Sequence, residues 1–329
     1  MKNNHKKLIF VSFLFSFAGL TLLYFQMDDL PLQKITLPWL LFALIAASSY
    51  WICEALCLRF LLQRLNSYVK TTTTLKSSLI GFFFSAVTPF SIGSVPAQLV
   101  YLENKGISLD KAIPALMMKT MINLFMRGTL SIFMLFLFPS LFSGKNSLVV
   151  QMVLVFYGSS ILLTYFIVFH RSKRAIKYRI QFAQLCLRLS QKVSFLKAPL
   201  FKLSESISQM QYSLQAYSSK INWLPKTSVI MLFGFFCQST IPFWILLAFN
   251  IHASLSSSVL LHSSYYLLQP LLPTPGGSGL AEMSFSAISK QYFGMASLWL
   301  VLFWRLFTYF LPMAVGFFVL LGSIANSKK

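Results

Sequence analysis

Apolar runs long enough to cross a bilayer recur along this chain, and no other feature constrains its fold as much. A span takes about 20 mostly apolar residues. Such runs occupy residues 8–25, 35–58, 113–141, 148–169, 227–249 and 296–324. In hydrocarbon only helices or closed barrels satisfy the backbone, and runs of this length specify helices. Composition agrees: 56% of the 329 residues are hydrophobic, 34 are Phe and only 11% are charged, against about 25% charged in a soluble domain. A disordered chain and an ordinary soluble enzyme are thereby excluded. The first run follows Lys2, Lys6 and Lys7, as a signal peptide would. Tyr24-Phe25-Gln26-Met27 offers no small-residue cleavage site, so the run is expected to stay as a span.

Two further apolar stretches are broken. Residues 79–87 run into Thr88-Pro89-Phe90-Ser91-Ile92-Gly93-Ser94-Val95-Pro96, and 259–272 run into Pro273-Thr274-Pro275-Gly276-Gly277-Ser278-Gly279. Each half is too short to cross at about 1.5 Å per residue, and Pro and Gly stop the helix. Such backbone persists at membrane depth only where protein buries it or water reaches it. The reading is two re-entrant hairpins of half-helices, 77–105 and 257–292. The expected fold is an all-α, polytopic integral membrane protein with six full spans and two hairpins. One membrane domain fills 1–329: an N-terminal span within 1–34, a first repeat at 35–141, a connecting span at 148–169, a basic segment at 170–226 and a second repeat at 227–324.

Charge sets the orientation. The formal charge is +21, from 28 Lys and Arg against 7 Asp and Glu; in a membrane chain this suits a face lying against anionic lipid. With the N-terminus inside, 22 of the cations fall in cytoplasmic segments, 3 outside and 3 within spans. That bias places both termini in the cytoplasm of a multi-pass cell-membrane protein. The first hairpin then enters from the cytoplasm and the second from outside, the layout of an inverted repeat with its site near the midplane. Thr88-Pro89 and Thr274-Pro275 each precede a glycine by five residues, Gly93 and Gly279. Lys119 and Arg305 each follow those threonines by 31, and Asn123 and Tyr309 follow the cations by four. In the basic segment Leu203, Ile207, Met210, Leu214 and Tyr217 recur at helical spacing. This predicts amphipathic helices on the inner leaflet or a hairpin packed on the bundle.

Lys119, Asn123 and Arg127 share one face of a helix, and Arg305 lies mid-depth in the last span. An ionisable group there is costly unless paired or wet, and so is a functional candidate. The alternative is structural pairing, Glu54 with one cation and Glu282 with another. Cations at mid-membrane suit an anionic guest, because Arg gives a phosphate bidentate hydrogen bonds. Half-helix N-termini near Ser94–Pro96 and Ser278–Leu280 would add backbone donors. Gly276, Gly277 and Gly279 would admit a headgroup close to the backbone, or would simply close a tight turn. Glu282 either orients and neutralises Arg305 or carries a proton. Cys53, Cys57, Cys186 and Cys237 and the four His form no ligand cluster, so no metal and no cofactor are expected. No catalytic set is visible.

The segment from Thr88 through Pro96-Ala97-Gln98-Leu99-Val100-Tyr101-Leu102, with Lys105-Gly106-Ile107-Ser108, resembles a signature of the flippase-like bacterial family named after the transmembrane region of lysylphosphatidylglycerol synthase. Pro273 through Gly279-Leu280-Ala281-Glu282 resembles its second signature. Arg305-Leu306-Phe307-Thr308-Tyr309-Phe310-Leu311-Pro312 with Gly316 resembles its third. The resemblance implies lipid transport in the bacterial cytoplasmic membrane. A phospholipid or polyprenyl-phosphate headgroup would meet Lys119, Asn123, Arg127, Glu282, Arg305 and Tyr309, framed by the hairpin backbone around Thr88, Pro89, Gly93, Pro96 and Gln98 and its counterpart. The family name also implies phosphatidylglycerol lysyltransferase activity and resistance to antimicrobial peptides. The full synthase carries a soluble aminoacyltransferase domain after its spans; this sequence ends at Lys329, so lysyl transfer is expected to need a partner chain. A scaffold for cell-envelope enzymes is the third reading. Direct nucleic-acid binding is not expected.

Overall fold

Helix α1, Leu37–Arg64, carries a single acid, Glu54, in 28 residues. It is followed by a helix–break–helix unit, α2 (Thr71–Val87) and α3 (Ser94–Glu103), and then by α4 (Leu109–Leu137). The order repeats with α5 (Trp223–Ser239) and α6 (Ile241–Ala248), a second helix–break–helix unit of α7 (Leu255–Leu268) and α8 (Leu280–Phe293), and the final helices α9 (Leu298–Arg305) and α10 (Leu311–Asn326). The computed structural model describes residues 35–137, 158–159, 217, 222–269, 272, 274–293 and 298–326. The span expected at 8–25, that at 148–169 apart from residues 158–159, most of 170–226, and Pro273 lie outside the described residues.

The described residues are all-helical. Among them three helices are long and apolar enough to cross a membrane: Leu37–Arg64, Trp223–Ala248 and Trp299–Ala325. Helix α4, expected at 113–141, has 29 residues and the necessary length, but Lys119, Asn123 and Arg127 make one of its faces polar. Pro242 near the start of α6 breaks the Trp223–Ala248 rod at Thr240. Between α9 and α10 the residues Leu306–Phe310 form a π-helical turn, a geometry that recurs at functional sites.

The two helix breaks are alike in backbone as well as in sequence. An offset of 186 residues carries Thr88 onto Thr274, Pro89 onto Pro275, Gly93 onto Gly279 and Lys119 onto Arg305. In both breaks a Thr-Pro pair precedes two left-handed residues. They are Phe90 (φ 51°) and Ser91 (φ 56°) in the first, Gly276 (φ 58°) and Gly277 (φ 70°) in the second. The two tips meet, α1 lies along α5, α2 packs on α10 and α7 packs on α4. Each helix–break–helix unit therefore packs on a helix from the other part of the chain. Without a hydrophobic force between helices in lipid, close approach of small residues holds them. A Cβ on Gly316 of α10 would collide with the Leu79 carbonyl of α2, and one on Gly234 of α5 with Cys53 of α1.

Helices α1 and α5–α6 run antiparallel, and their two ends differ. At one end Lys226 lies 3.8 Å from the Phe60 ring centroid. There the Tyr217 hydroxyl donates to the Leu61 carbonyl at 2.7 Å, and Trp223 Nε1 donates to the Tyr217 carbonyl at 2.9 Å. At Tyr217 the basic segment thus packs into the bundle. At the other end the Thr36 N–H reaches the Ala248 carbonyl at 2.9 Å, and Trp39 stacks on Trp244 at 5.9 Å. An apolar cluster fills each end, one around Leu58, Leu61, Leu102, Leu116 and Met231, the other around Ala46, Phe235, Leu246, Phe285 and Trp304. Between them lies a polar layer.

Candidate functional site: a charged cavity between two helix breaks

The polar layer contains a cavity of about 400 Å³, lined from α1 by Tyr50 and Glu54, from α4 by Lys119, Asn123 and Arg127, and by both helix breaks. Helical spacing explains the first two sets, since i, i+4 and i+8 share a face. One half of the site centres on Glu54, which is 3% exposed. Lys119 Nζ lies 2.8 Å from its Oε2 and also donates to Gln98 Oε1 at 2.9 Å. The Tyr50 hydroxyl donates to Oε1 at 2.9 Å, and Asn123 Nδ2 donates to the same oxygen. Gln98 is held in turn by Nε2 donating to Ser94 Oγ at 3.1 Å. Lys119 is 5% exposed and does not snorkel out; its ammonium is spent on Glu54 and Gln98.

The other half centres on Glu282, fully buried. Arg305 donates to it through Nε at 2.8 Å and Nη2 at 3.1 Å, a bidentate fork. The Gly279 N–H donates to Glu282 Oε2 at 2.7 Å. The N-terminus of α8 therefore already holds a carboxylate of its own chain where an external anion was expected to bind. At α3 the Gly93 N–H is likewise taken, donating to Thr88 Oγ1 at 3.0 Å. Tyr309 spans the two breaks: its hydroxyl donates to the Ala86 carbonyl at 3.2 Å and accepts from Ser278 Oγ at 3.3 Å. Its ring lies against Gly276, where a Cβ would collide with it. Packing as well as the positive φ thus requires glycine there.

Arg127 joins α1 and α7 to α4. Its guanidinium donates to the Tyr50 hydroxyl and to Gln269 Oε1 at 3.1 Å, and lies 4.3 Å from the Tyr266 ring centroid, a cation–π contact.

Of the sequence-predicted residues, Lys119, Asn123, Arg127, Arg305, Tyr309, Gln98, Gly276 and Gly277 line the cavity. Glu282 stands behind Arg305. Thr88, Gly93, Pro275 and Gly279 shape the breaks, Pro89 opens the first turn and Pro96 lies in the first turn of α3. Thr274 stands at the N-cap position of the second without a side-chain hydrogen bond to it, and Pro273 is outside the described residues. Sequence reasoning missed Tyr50, Gln269, Tyr265 and Tyr266, all of which line the cavity. Tyr50 had a signal, lying one turn before the single acid of its helix. No group of three His, Cys, Asp or Glu occurs among the described residues that could hold a metal ion.

Apolar helices enclosing such a layer define a helical membrane protein. The chain belongs to the family described as the lysylphosphatidylglycerol synthase TM region, whose match covers residues 7–316. It is similar to a UPF0104 membrane protein of Archaeoglobus fulgidus, 23% identical over 297 residues and 88% of each chain. No solved structure matches it.

Proposed function

We propose that the protein moves an anionic lipid between the leaflets of its membrane, with the phosphate taken by Arg127 in the cavity between the two helix breaks. The observation that carries this reading is the cavity of about 400 Å³ between the two helix breaks, which Lys119, Arg127 and Arg305 all line. Lys119 and Arg305 each lie on a buried carboxylate, and the Arg127 guanidinium sits 4.3 Å from the Tyr266 ring centroid. Lys119, Asn123, Arg305 and Tyr309 then shape and brace the site. The helix breaks are re-entrant hairpins in this reading, and the antiparallel α1 and α5–α6 belong to an inverted repeat. The basic end, with Arg59, Arg64 and Lys226, is cytoplasmic, and the Trp39–Trp244 end sits at the outer interface, where aromatic rings favour the headgroup level. With the spans outside the described residues the chain is a six-span protein with both termini inside. Charge on the guest, rather than any chemical change in it, is what the site reads.

Ligand-dependent stability tests this. In detergent, short-chain phosphatidylglycerol is expected to raise Tm in proportion to the logarithm of its concentration, by mass action on the folded state. Phosphatidylcholine of equal chain length is expected to do so less. In Arg127→Gln the difference between the two lipids is expected to vanish while the ligand-free Tm changes little. Equal shifts for both lipids in the wild type would remove the headgroup from the account.

A further inference from the structure

The charges of the polar layer do not cancel. Among the described residues it holds three cations, Lys119, Arg127 and Arg305, all on the cavity wall. It holds two acids, Glu54 and Glu282. The other described acids, Glu103 and Asp110, lie at the junction of α3 and α4 and are not part of that wall. Three against two leaves one positive charge in surplus. The surplus belongs to the layer as a whole, whichever cation each carboxylate holds. Lys119, Arg305 and both carboxylates are buried, where an unmatched charge is costly. A guest with one net negative charge brings the layer to neutrality.

The two carboxylates are turned to the protein rather than to a guest. Glu54 accepts from Lys119, Tyr50 and Asn123. Glu282 accepts twice from Arg305 and once from the Gly279 N–H, and stands fully buried behind Arg305. Three of the roughly four lone-pair sites of each carboxylate are therefore taken. A guest ammonium would have to displace a lysine or an arginine to reach one. Among the described residues the rest of the wall is uncharged, and its polar groups include Ser91, Ser94, Thr120, Gln238 and Thr308.

We propose that the cavity is matched to a lipid whose headgroup is a phosphodiester with an uncharged remainder, and mismatched both to a phosphomonoester and to a headgroup bearing an ammonium. This rests on the translocation reading and specifies its guest. A phosphodiester carries one negative charge. A phosphomonoester carries nearly two above its second pKa of about 6, and the second finds no match in the layer. An aminoacyl ester adds an ammonium that the three cations of the wall repel. Phosphatidylglycerol therefore belongs to the matched class; a polyprenyl phosphate and lysyl-phosphatidylglycerol do not.

Short-chain lipids added to the full chain in detergent test it, with affinity read from the rise in Tm. At about pH 8 phosphatidylglycerol is expected to bind at least about fivefold more tightly than phosphatidic acid, the effect of one unmatched charge at about 4 Å even at water's dielectric constant. At about pH 5 phosphatidic acid is singly charged and is expected to draw level. Lysyl-phosphatidylglycerol is expected to bind no better than phosphatidylcholine. Thr120 allows the surplus itself to be changed. It is exposed on the cavity wall, and its hydroxyl donates to the Leu116 carbonyl of its own helix. Thr120→Lys is expected to reverse the order at about pH 8 in favour of phosphatidic acid. Thr120→Glu is expected to abolish the preference for phosphatidylglycerol over phosphatidylcholine. Three results would each overturn the charge match while a preference for phosphatidylglycerol over phosphatidylcholine keeps the translocation reading standing: phosphatidic acid binding as tightly as phosphatidylglycerol at about pH 8, lysyl-phosphatidylglycerol doing so, or an unchanged order in Thr120→Lys. Equal binding of phosphatidylglycerol and phosphatidylcholine in the wild type would overturn both.

Discussion

Glu54 receives Lys119, Tyr50 and Asn123, Glu282 receives Arg305 and the Gly279 N–H, and each carboxylate holds one cation of the polar layer. Burying such a pair gains little over an apolar pair of similar size, but removing one partner strands a charge at a cost of about 3–5 kcal/mol. Arg305→Met is therefore expected to lower Tm sharply in detergent, because Glu282 keeps only the Gly279 N–H from its own helix start. Adding Glu282→Gln to Arg305→Met is expected to recover most of the loss. A double variant as unstable as the single would mean that the fork to Glu282 is not what Arg305 supplies. The same reasoning makes Arg305→Ala a poor probe of transport, since it damages folding and site together. Arg127, whose side chain lines the cavity, is the probe of transport.

At the scale of elements, the two helix breaks follow one backbone path with different residues. The left-handed pair is Phe90-Ser91 in the first and Gly276-Gly277 in the second. An L-residue in that conformation costs about 1–2 kcal/mol, and glycine is spared it. Phe90 is 59% exposed, so it recovers little of that cost by packing. Phe90→Gly is expected to stabilise the protein by up to about 1 kcal/mol, while Gly276→Ala is expected to destabilise it and to displace Tyr309. Thermal unfolding of the two variants checks the pair; a destabilising Phe90→Gly would mean that the Phe90 ring has a packing role in the first break. Thr88 adds rigidity on that side, donating to the Phe84 carbonyl at 2.6 Å while accepting from Gly93. The counterpart Thr274 Oγ1 makes no hydrogen bond, which leaves the glycine-rich break the softer of the two.

At the scale of the molecule, the basic and aromatic ends predict a fixed orientation. In a background without the native cysteines, Tyr68→Cys is expected to react with an impermeant thiol reagent only from the cytoplasmic side, and Ser256→Cys only from outside. Reaction of both from one side would contradict the antiparallel repeat. The all-helical membrane class was legible beforehand because it rests on run length and composition, and the two helix breaks because they rest on Pro and Gly. The 31-residue interval from each threonine to its cation was read as a mark of the repeat, and the pairing of Glu54 with one cation and Glu282 with another was the structural alternative to a functional role; both pairs are present. The partners of Arg127 were not legible. Tyr50 and Gln269 reach it only through the packing of α1 and α7 on α4, which no local pattern encodes. Nor did sequence reveal that Glu282 occupies the α8 N-terminus, because a carboxylate three residues past a glycine reads equally well as a cap or as a partner for Arg305.

Leaflet exchange in proteoliposomes tests the central claim most directly. Labelled phosphatidylglycerol and phosphatidylcholine would be followed by quenching the outer leaflet in vesicles carrying wild-type protein or Arg127→Gln. The account predicts protein-dependent exchange of phosphatidylglycerol that outpaces phosphatidylcholine and is lost in Arg127→Gln. Vesicles in which neither lipid exchanges, or in which Arg127→Gln exchanges phosphatidylglycerol as fast as the wild type, would contradict it.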